Sequence, residues 1–184
     1  MVQAGQRFGP VQLAVLNAGI IGPVERIGAV SVDAFDTVMA VNVCSLWLGL
    51  AALMPFMRSG GGSGGGSIVA TSSTAGLAAY SASKHAVIGL LTSAVLEGAR
   101  DGIRVNAVCP GPVATGLIAV IEAGLRPDDP AGARPGTAAR VPLGRLGTTE
   151  DVAALMLFLL SAKAAFATGG AHTIDGGVVA GLPG

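Results

Sequence analysis

Apolar runs of strand length alternate with longer helical runs along this chain, and this alternation restricts the fold more than any other feature. The strand-like runs lie at about residues 12–17, 67–72, 103–109 and 171–175. Strands that are apolar on both faces and separated by helices are typical of a parallel sheet covered on both sides. The sequence therefore predicts an α/β fold in which helices flank a doubly wound parallel sheet of about four strands.

Three long helices are predicted around these strands. They run from Val32 to Met57 with Ser31 as N-cap, from Tyr80 to about Ala99, and from Thr149 to Leu160 with Thr148 or Thr149 as cap. Two segments, 59–67 and 112–147, are rich in Gly or Pro and are predicted to be irregular. A chain of 184 residues falls within the range of a single domain.

The charge and cysteine content exclude several kinds of partner. Only 12% of the residues are charged and the formal net charge is zero, so no basic surface for nucleic acid or an anionic membrane is predicted. Cys44 and Cys109 lack CxxC spacing and lie in apolar runs, which predicts buried free thiols. His85 and His172 have no Cys or acidic companions at ligand spacing, so no metal site is predicted.

The uncharged stretch 37–57 leaves two interpretations open. Its length meets the rule for a membrane span, but an apolar helix can equally be buried by protein on both flanks. Asn42, Ser45 and Pro55 favour the buried helix and hence no membrane. Residues 1–7 hold no apolar core of signal-peptide length, so a cytoplasmic location is expected.

Tyr80 and Lys84 are four residues apart in the second predicted helix, so they share one face of it. An ammonium group within a few Å can lower the pKa of a phenol by roughly 1–3 units. Such a pair suits general acid–base catalysis on an alcohol or a ketone. The same spacing also occurs in exposed pairs on amphipathic helices, so its surroundings decide the interpretation.

Further segments surround this pair in a fixed order: Leu13–Gly19, Val41–Val43, Ile68–Ser73, Ile103–Thr115 and Ile174–Gly177. With these segments the chain resembles the short-chain dehydrogenase/reductase family in its single-domain form, from about Phe8 to Gly181. The resemblance implies a Rossmann-type sheet, NAD or NADP as cofactor, and a small-molecule alcohol or ketone as substrate. It also implies a homo-oligomer in which the long apolar helices pack against their copies.

The resemblance assigns four residues to catalysis. Tyr80 would exchange a proton with the substrate oxygen, while Lys84 would lower the pKa of the phenol and bind the nicotinamide ribose. Asn42 would hold a water in a proton relay to Lys84, and Ser73 would orient the substrate carbonyl. Structural roles remain open, because Asn42 could cap or kink its helix and Ser73 could be a turn hydroxyl.

Ser73 lies closer to Tyr80 along the chain than the family usually has it. The usual interval would reach Ser67, which begins a strand and should lie at the far end of the sheet. Seven Cα steps reach roughly 24 Å, so the short loop can still bring Ser73 to Tyr80. A strand register shifted by one residue would present Ser72 instead.

The resemblance also implies a set of cofactor contacts. Asn17, Ala18 and Gly19 would pass under the adenosine ribose, with Gly19 allowing close approach of the backbone. The Val113 amide and carbonyl would read the carboxamide. The complete implied set is Asn17, Ala18, Gly19, Tyr80, Lys84, Pro110, Gly111, Val113 and Thr115. Asn106 and Ile174–Gly177 are expected to be structural.

The family's glycine fingerprint is not found. Gly60, Gly62 and Gly65 spell GxGxxG, but they follow a predicted helix and precede a strand, whereas a dinucleotide fingerprint follows a strand and opens a helix. The chain is therefore expected to be one truncated domain of the family, 1–184, with the strand Leu13–Leu16 at a bare edge. Two functions follow: an NAD(P)-dependent oxidoreductase, or an inactive fragment that cannot bind a dinucleotide by itself and acts only as a structural or assembly polypeptide.

The region 113–148 corresponds to the substrate loop that the resemblance implies. Within it, Ile118 to Gly147 would cover the substrate and is called the lid. It carries four arginines: Arg126, Arg134, Arg140 and Arg145. These leave open an anionic substrate or a solvated, flexible loop.

Overall fold

Four parallel strands form one sheet in a computed structural model that describes residues 3, 6, 7, 9–59, 65–125 and 128–181. In sheet order they are β1 (Leu13–Leu16), β2 (Gly66–Thr71), β3 (Ile103–Pro110) and β4 (Ala171–Ile174). Each end lies within one residue of the predicted position. Because all the strands are parallel, the loops that follow them meet at one edge of the sheet, which is where ligands bind in open α/β sheets.

The helices of the described residues include all three predicted ones. They are α1 (Val32–Met39), α2 (Ser45–Ser59), α3 (Ala78–Gly98), α4 (Gly116–Leu125), α5 (Pro130–Ala139) and α6 (Thr149–Leu160). The predicted Val32–Met57 helix is divided by a π-helical segment, Ala40–Cys44, between α1 and α2. Such segments are frequent at functional sites. Ser31 caps α1, and Thr148 caps α6 in a reciprocal capping box with Asp151.

Helices cover both faces of the sheet. On one face α2 and α3 pack against β2 and β3, with a buried core that includes Leu50, Leu91 and Ile68. On the other face α6 packs against Val69 and Val108 through Leu159. Neighbouring strand residues point to opposite faces, so Ile68 and Val69 join different cores. The predicted doubly wound α/β architecture is confirmed.

The prediction that residues 112–147 are irregular is wrong, because α4 and α5 lie within them. Asp129 caps α5 by accepting a hydrogen bond from the Gly132 N–H at 2.9 Å. Pro130 stands at the start of that helix, where its missing N–H has no effect. The density of Pro and Gly hid this cap signal. Of the GxGxxG run, Gly60 and Gly62 lie outside the described residues, and Gly65 directly precedes β2.

Arg104 on β3 holds the carboxyl end of α6. Its Nη1 donates to the carbonyls of Leu159 (2.8 Å) and Ala167 (3.1 Å), and its Nη2 donates to that of Ser161 (3.1 Å). Helix ends leave their last carbonyls without partners in the helix. A guanidinium with several donors satisfies them and fixes α6 to the sheet.

We therefore expect Arg104→Met to lower the free energy of unfolding by about 2 kcal/mol, because several charge-assisted hydrogen bonds are lost. Urea denaturation followed by circular dichroism measures this change. Arg100→Met is the matched control, since Arg100 is exposed on the turn after α3. Equal effects of the two variants would contradict the capping role.

Candidate functional site

Tyr80 and Lys84 lie on the buried face of α3, at the edge where the strands end. Tyr80 is 6% exposed and Lys84 is 3% exposed, so they are not a surface pair. Lys84 Nζ lies 5.6 Å from the centroid of the Tyr80 ring and donates to the Thr71 carbonyl at 2.8 Å. The last residue of β2 thus fixes the ammonium group beside the phenol.

Ser73 lies near the phenol, and its hydroxyl acts to lower the pKa of Tyr80. Its hydroxyl also accepts from the Ala75 N–H at 3.1 Å. Ser72 is buried and donates to the Lys84 carbonyl at 2.8 Å, so it belongs to the packing of α3. Ser67 lies near the start of β2 and bonds the Leu159 carbonyl. Of the three serines considered from the sequence, Ser73 is the one that influences the pKa of Tyr80.

The loop between Ser73 and Tyr80 is fixed by a residue that the sequence reasoning missed. Ser81 Oγ donates to the Ala75 carbonyl at 2.6 Å and accepts from the Leu77 N–H at 2.7 Å. Thr74 Oγ1 donates to the Pro110 carbonyl at 3.2 Å. The sequence does place Ser81 directly after Tyr80. Because serine hydroxyls often bond nearby backbone groups, this position could have indicated that Ser81 fixes the loop.

Burial dominates the protonation of the pair. It raises the pKa of Tyr80 above its ordinary value, and the hydrogen bond from Ser73 offsets this only in part. Burial lowers the pKa of Lys84 to about 8, against a smaller opposing influence of Cys109. The pKa of Tyr80 is therefore raised in this structure and not lowered as expected, because desolvation by burial has the largest influence on it.

Asn42 connects the loop after β1 to α3. Its Oδ1 accepts from the Ile20 N–H at 2.8 Å, and its Nδ2 donates to the Ile20 carbonyl and to Ser83 Oγ, each at 2.9 Å. Ser83 in turn donates to the Tyr80 carbonyl at 2.7 Å. The buried amide thus links the loop to the backbone of the helix that carries Tyr80, which the sequence did not reveal. Its role in a proton relay remains a prediction.

Gly19 lies against the two buried polar groups. A Cβ atom at this position would be 3.2 Å from both Asn42 Oδ1 and Lys84 Nζ. The approach of the Gly19 backbone to a cofactor ribose stays a prediction. Asn17 Oδ1 accepts from Thr71 Oγ1 at 2.6 Å. Asn17, Ala18, Asn42 and Thr71 are among the residues that line a cavity of about 170 Å³ at the ends of β1 and β2.

The loop after β3 packs against the turn after β4. A Cβ on Gly111 would lie 2.6 Å from Cβ of Asp175, so no larger residue fits there without a shift. Asp175 accepts from the N–H groups of Gly177 and Val179, each at 2.8 Å, which makes 174–177 the structural turn that was expected. Asn106 likewise bonds the backbone of Ala167.

Two of the predicted cofactor contacts already bond each other. The Val113 carbonyl accepts from the Thr115 N–H at 2.8 Å. To bind the carboxamide of the nicotinamide, this carbonyl would therefore have to accept a second hydrogen bond. Pro110, the last residue of β3, begins this loop. Val113 also pairs with Gly147 in a short parallel bridge.

The cysteines, the lid arginines and the residues able to bind a metal were also predicted from the sequence. Cys44 is exposed, so its predicted burial is wrong, whereas Cys109 is buried and both thiols are free. Of the lid arginines, Arg134 pairs with Glu122 and Arg145 with Asp151, and Arg126 lies outside the described residues. Within the part of the chain that the structure describes, no group of three or more His, Cys, Asp or Glu side chains could hold a metal ion.

The helix Val32–Ser59 is long and apolar enough to cross a membrane by length and composition, and 33% of its most apolar window is buried in the protein. Its inward residues, Leu46, Leu50 and Met54, belong to the core under the sheet. The core helix of a soluble protein passes the same test, so this feature alone does not indicate a membrane.

The chain is similar to known dehydrogenases over almost its whole length. A family model described as enoyl-(acyl carrier protein) reductase matches residues 1–179. Cyclohexanol dehydrogenase from Acinetobacter sp. (strain SE19) is 38% identical over 178 residues, which is 92% of this chain and 64% of that protein. The inactive 2-(S)-hydroxypropyl-CoM dehydrogenase 2 of Xanthobacter autotrophicus is 38% identical over 183 residues, covering 98% of this chain and 78% of the relative.

Among solved structures, levodione reductase superimposes with a TM-score of 0.92 and 32% sequence identity. The match covers 98% of this chain and 71% of that one. The chain therefore spans about two thirds to four fifths of the length of these relatives, from 64% to 78%.

The buried ammonium makes stability depend on pH. The folded chain loses the Lys84 proton near pH 8, whereas the unfolded chain keeps it until about the ordinary value of 10.5. Between these values the unfolded state binds more protons, so stability rises with pH. From pH 8 to 9.5 we expect the free energy of unfolding to gain about 1 kcal/mol per pH unit from this residue. Urea denaturation at several pH values should show that Lys84→Met lacks this gain. Lys163→Met changes an exposed lysine and should keep the gain. If the free energy of unfolding changed with pH in the same way for the wild type and both variants, the prediction would be wrong.

Proposed function

Because the chain belongs to the short-chain dehydrogenase/reductase family, we propose that it is an NAD(P)-dependent oxidoreductase that interconverts an alcohol and a ketone or aldehyde. The observation that carries this proposal is the buried pair of Tyr80 and Lys84, with Lys84 Nζ 5.6 Å from the centre of the Tyr80 ring; the influence of Ser73 on the pKa of Tyr80 supports it. A phenol, a hydroxyl and an ammonium group converge where ligands bind in such sheets. The named dehydrogenases among its relatives support an oxidoreductase.

Tyr80 is the proton donor and acceptor in this proposal. In carbonyl reduction its phenol gives a proton to the substrate oxygen, and in alcohol oxidation the phenolate takes that proton back. Burial keeps the phenol protonated at neutral pH, because it raises the pKa of Tyr80. The site as it stands is therefore prepared for reduction, and oxidation should be favoured by alkaline pH.

Ser73 and Lys84 support this step differently. The Ser73 hydroxyl influences the pKa of the phenol and would donate a hydrogen bond to the same substrate oxygen, which would place that oxygen beside Tyr80. Lys84 carries a positive charge below about pH 8 and would stabilise the phenolate that forms. Asn42 holds the loop of Gly19 against α3 and would keep a relay water near Lys84.

The residues at the strand ends fit a nicotinamide dinucleotide. The missing side chain of Gly19 lets the loop after β1 lie against the Lys84 ammonium group, so a ligand held by this loop would lie beside Lys84. Asn17, Ala18, Pro110, Val113 and Thr115 are the further contacts that we propose, together with the Lys84 ammonium on a ribose hydroxyl. When bound, the nicotinamide supplies or accepts the hydride at C4. Nothing in these contacts selects NAD over NADP.

A cyclic secondary alcohol is the substrate that we propose for a first test. Cyclohexanol dehydrogenase is similar to 92% of this chain, and the lid contributes apolar side chains such as Ile118 and Ile121. Such a substrate needs one oxygen at Tyr80 and otherwise apolar surroundings.

A second function is favoured by one observation. A relative that is 38% identical over 98% of this chain is named an inactive dehydrogenase. The alternative is a polypeptide that keeps the site residues, does not bind a dinucleotide by itself, and acts only in assembly. Titration calorimetry with NADH and NADPH separates the two, because micromolar binding by the purified chain contradicts the alternative.

The face of α2 that points away from the sheet is apolar, which supports a homo-oligomer. We propose that this oligomer is in the cytoplasm. Trp47 is 59% exposed and Leu48 is 65% exposed, although both are apolar. Leu96 at the end of α3 is exposed as well. Burying apolar surface of this kind stabilises association, and we propose that a copy of the same helices covers it.

We expect Tyr80→Phe to lower the turnover of cyclohexanol with NAD⁺ or NADP⁺ by about 100-fold to 10,000-fold, which is the usual contribution of a general acid or base. The variant should still bind NADH in calorimetry and should unfold at an unchanged urea concentration. Thr92→Val, which removes an exposed hydroxyl from the same helix, is the control and should keep full turnover. Undiminished turnover by Tyr80→Phe would overturn the assignment.

We expect Leu48→Glu to reduce the mass of the particle in sedimentation velocity without detergent, because a carboxylate would be buried in the contact. Ile27→Glu is the matched control, since Ile27 is 83% exposed in a turn away from α2. A monomeric wild-type chain would contradict the oligomer. Recovery of the chain only with membranes at high salt would contradict the cytoplasmic location.

A further inference from the structure

Ser83 is a fully buried polar residue on α3 that the proposed mechanism does not use. It directly precedes Lys84 in the chain, and its side chain has no exposed surface. The Ser83 hydroxyl donates to the Tyr80 carbonyl at 2.7 Å and accepts from Asn42 Nδ2 at 2.9 Å. Alanine would be more favourable in a buried helix, because it forms the helix better and buries no hydroxyl. The hydroxyl therefore calls for an explanation.

The Ser83 hydroxyl helps to set the orientation of the Asn42 amide. Its one O–H proton is bound to the Tyr80 carbonyl, so its oxygen is presented to Asn42 as an acceptor. An acceptor at this place favours the NH₂ end of the amide over the C=O end. The backbone of Ile20 requires the same orientation, since its N–H donates to Asn42 Oδ1 and its carbonyl accepts from Nδ2.

Both protons of the Asn42 NH₂ group are therefore engaged, one by the Ser83 hydroxyl and one by the Ile20 carbonyl. Asn42 is 2% exposed, so water does not replace a lost partner at this place. Without the Ser83 hydroxyl one proton of the amide would stay unpaired in the interior, which is unfavourable. The amide would then be free to rotate, and its bonds to Ile20 would weaken.

These bonds connect two parts of the proposed site. At one end is the loop after β1, in which Gly19 directly precedes Ile20, and a Cβ on Gly19 would lie 3.2 Å from Lys84 Nζ. At the other end is the backbone carbonyl of Tyr80, in the turn of α3 that carries Tyr80 and Lys84. A weaker link would let the loop move relative to this turn.

We propose that Ser83 is a positioning residue, which acts through Asn42 to hold the loop after β1 at a fixed distance from the turn of α3 that carries Tyr80. This inference rests on the proposed function, in which that loop contacts the cofactor and Tyr80 exchanges a proton with the substrate. Reacting atoms must lie within about 3.5 Å of each other, so a small displacement lowers turnover strongly. Ser83 itself touches neither ligand, so its loss affects turnover more than the binding of the alcohol.

Steady-state kinetics with cyclohexanol at saturating cofactor tests this inference on the full chain. We expect Ser83→Ala to lower kcat by about tenfold and to change KM for cyclohexanol by less than about twofold. Ser67→Ala is the matched control, because Ser67 is also buried and its hydroxyl donates to the Leu159 carbonyl at 3.1 Å, near the start of β2. It should keep the wild-type kcat. A wild-type kcat in Ser83→Ala, or an equal loss in Ser67→Ala, would refute the inference.

A double-mutant cycle shows whether Ser83 acts through Asn42. Asn42→Ala should lower kcat by itself, because it removes the amide that holds the loop. Adding Ser83→Ala to this variant should lower kcat no further, since the group through which Ser83 acts is already gone. If the two losses multiply in the double variant, or if Asn42→Ala keeps the wild-type kcat, Ser83 does not act through Asn42 and the inference is wrong.

Hydrogen exchange measures the same link without turnover. The Ile20 N–H donates to Asn42 Oδ1, so its exchange rate, followed by NMR, should rise by about tenfold in Ser83→Ala. The rate should stay unchanged in Ser67→Ala. If the wild type oxidises no alcohol with either cofactor, the proposed function fails, and the exchange rate of Ile20 alone decides whether Ser83 holds the loop. Turnover by the wild type with unchanged Ile20 exchange in Ser83→Ala would contradict only the inference.

Discussion

The structure depends on keeping the Lys84 ammonium inside the protein. Moving a charged amine out of water is costly, and burial lowers its pKa to about 8. The fold compensates with the Thr71 carbonyl at the end of β2 and with the missing side chain of Gly19, where a Cβ would lie 3.2 Å from the ammonium nitrogen. A parallel sheet makes this possible, because its carboxyl ends bring backbone carbonyls of β2 and the loop of β1 to the same place.

At the carboxyl edge of the sheet, several elements hold the site together. Asn42 bonds the backbone of Ile20 and the hydroxyl of Ser83, so it joins the loop after β1 to α3. Thr71 joins the same loop to Lys84, through its hydroxyl on Asn17 and its carbonyl on the ammonium group. Because the bonds of Asn42 and of Lys84 are buried or partly buried, separating the loop from α3 would leave several polar atoms without partners.

The sequence predicted what local patterns determine. The strands and the caps at Ser31 and Thr148 follow from periodicity and from the residues that favour caps, and the structure agrees. The role of Ser73 beside Tyr80 came from the resemblance and stays a prediction. The sequence did not predict that burial would decide the pKa of Tyr80, because desolvation depends on packing by distant residues. Arg104 bonds the Leu159 carbonyl 55 positions away, and no local pattern indicates such a contact. The sequence did not predict α4 and α5, because the many Gly and Pro residues in 112–147 indicated irregular structure. For α5, the N-cap residue Asp129 was the signal that this composition obscured.

The short loop before Tyr80 shows how a shortened connection can preserve a site. Its length alone leaves many paths open, since the chain between Ser73 and Tyr80 could extend roughly 24 Å. Its path is instead restricted by hydrogen bonds to both flanks: Ser81 holds Ala75 and Leu77 from α3, and Thr74 holds the Pro110 carbonyl of β3. Since these bonds anchor the loop to α3 and to the end of β3, they restrict the position of Ser73 near Tyr80 more than the loop length does.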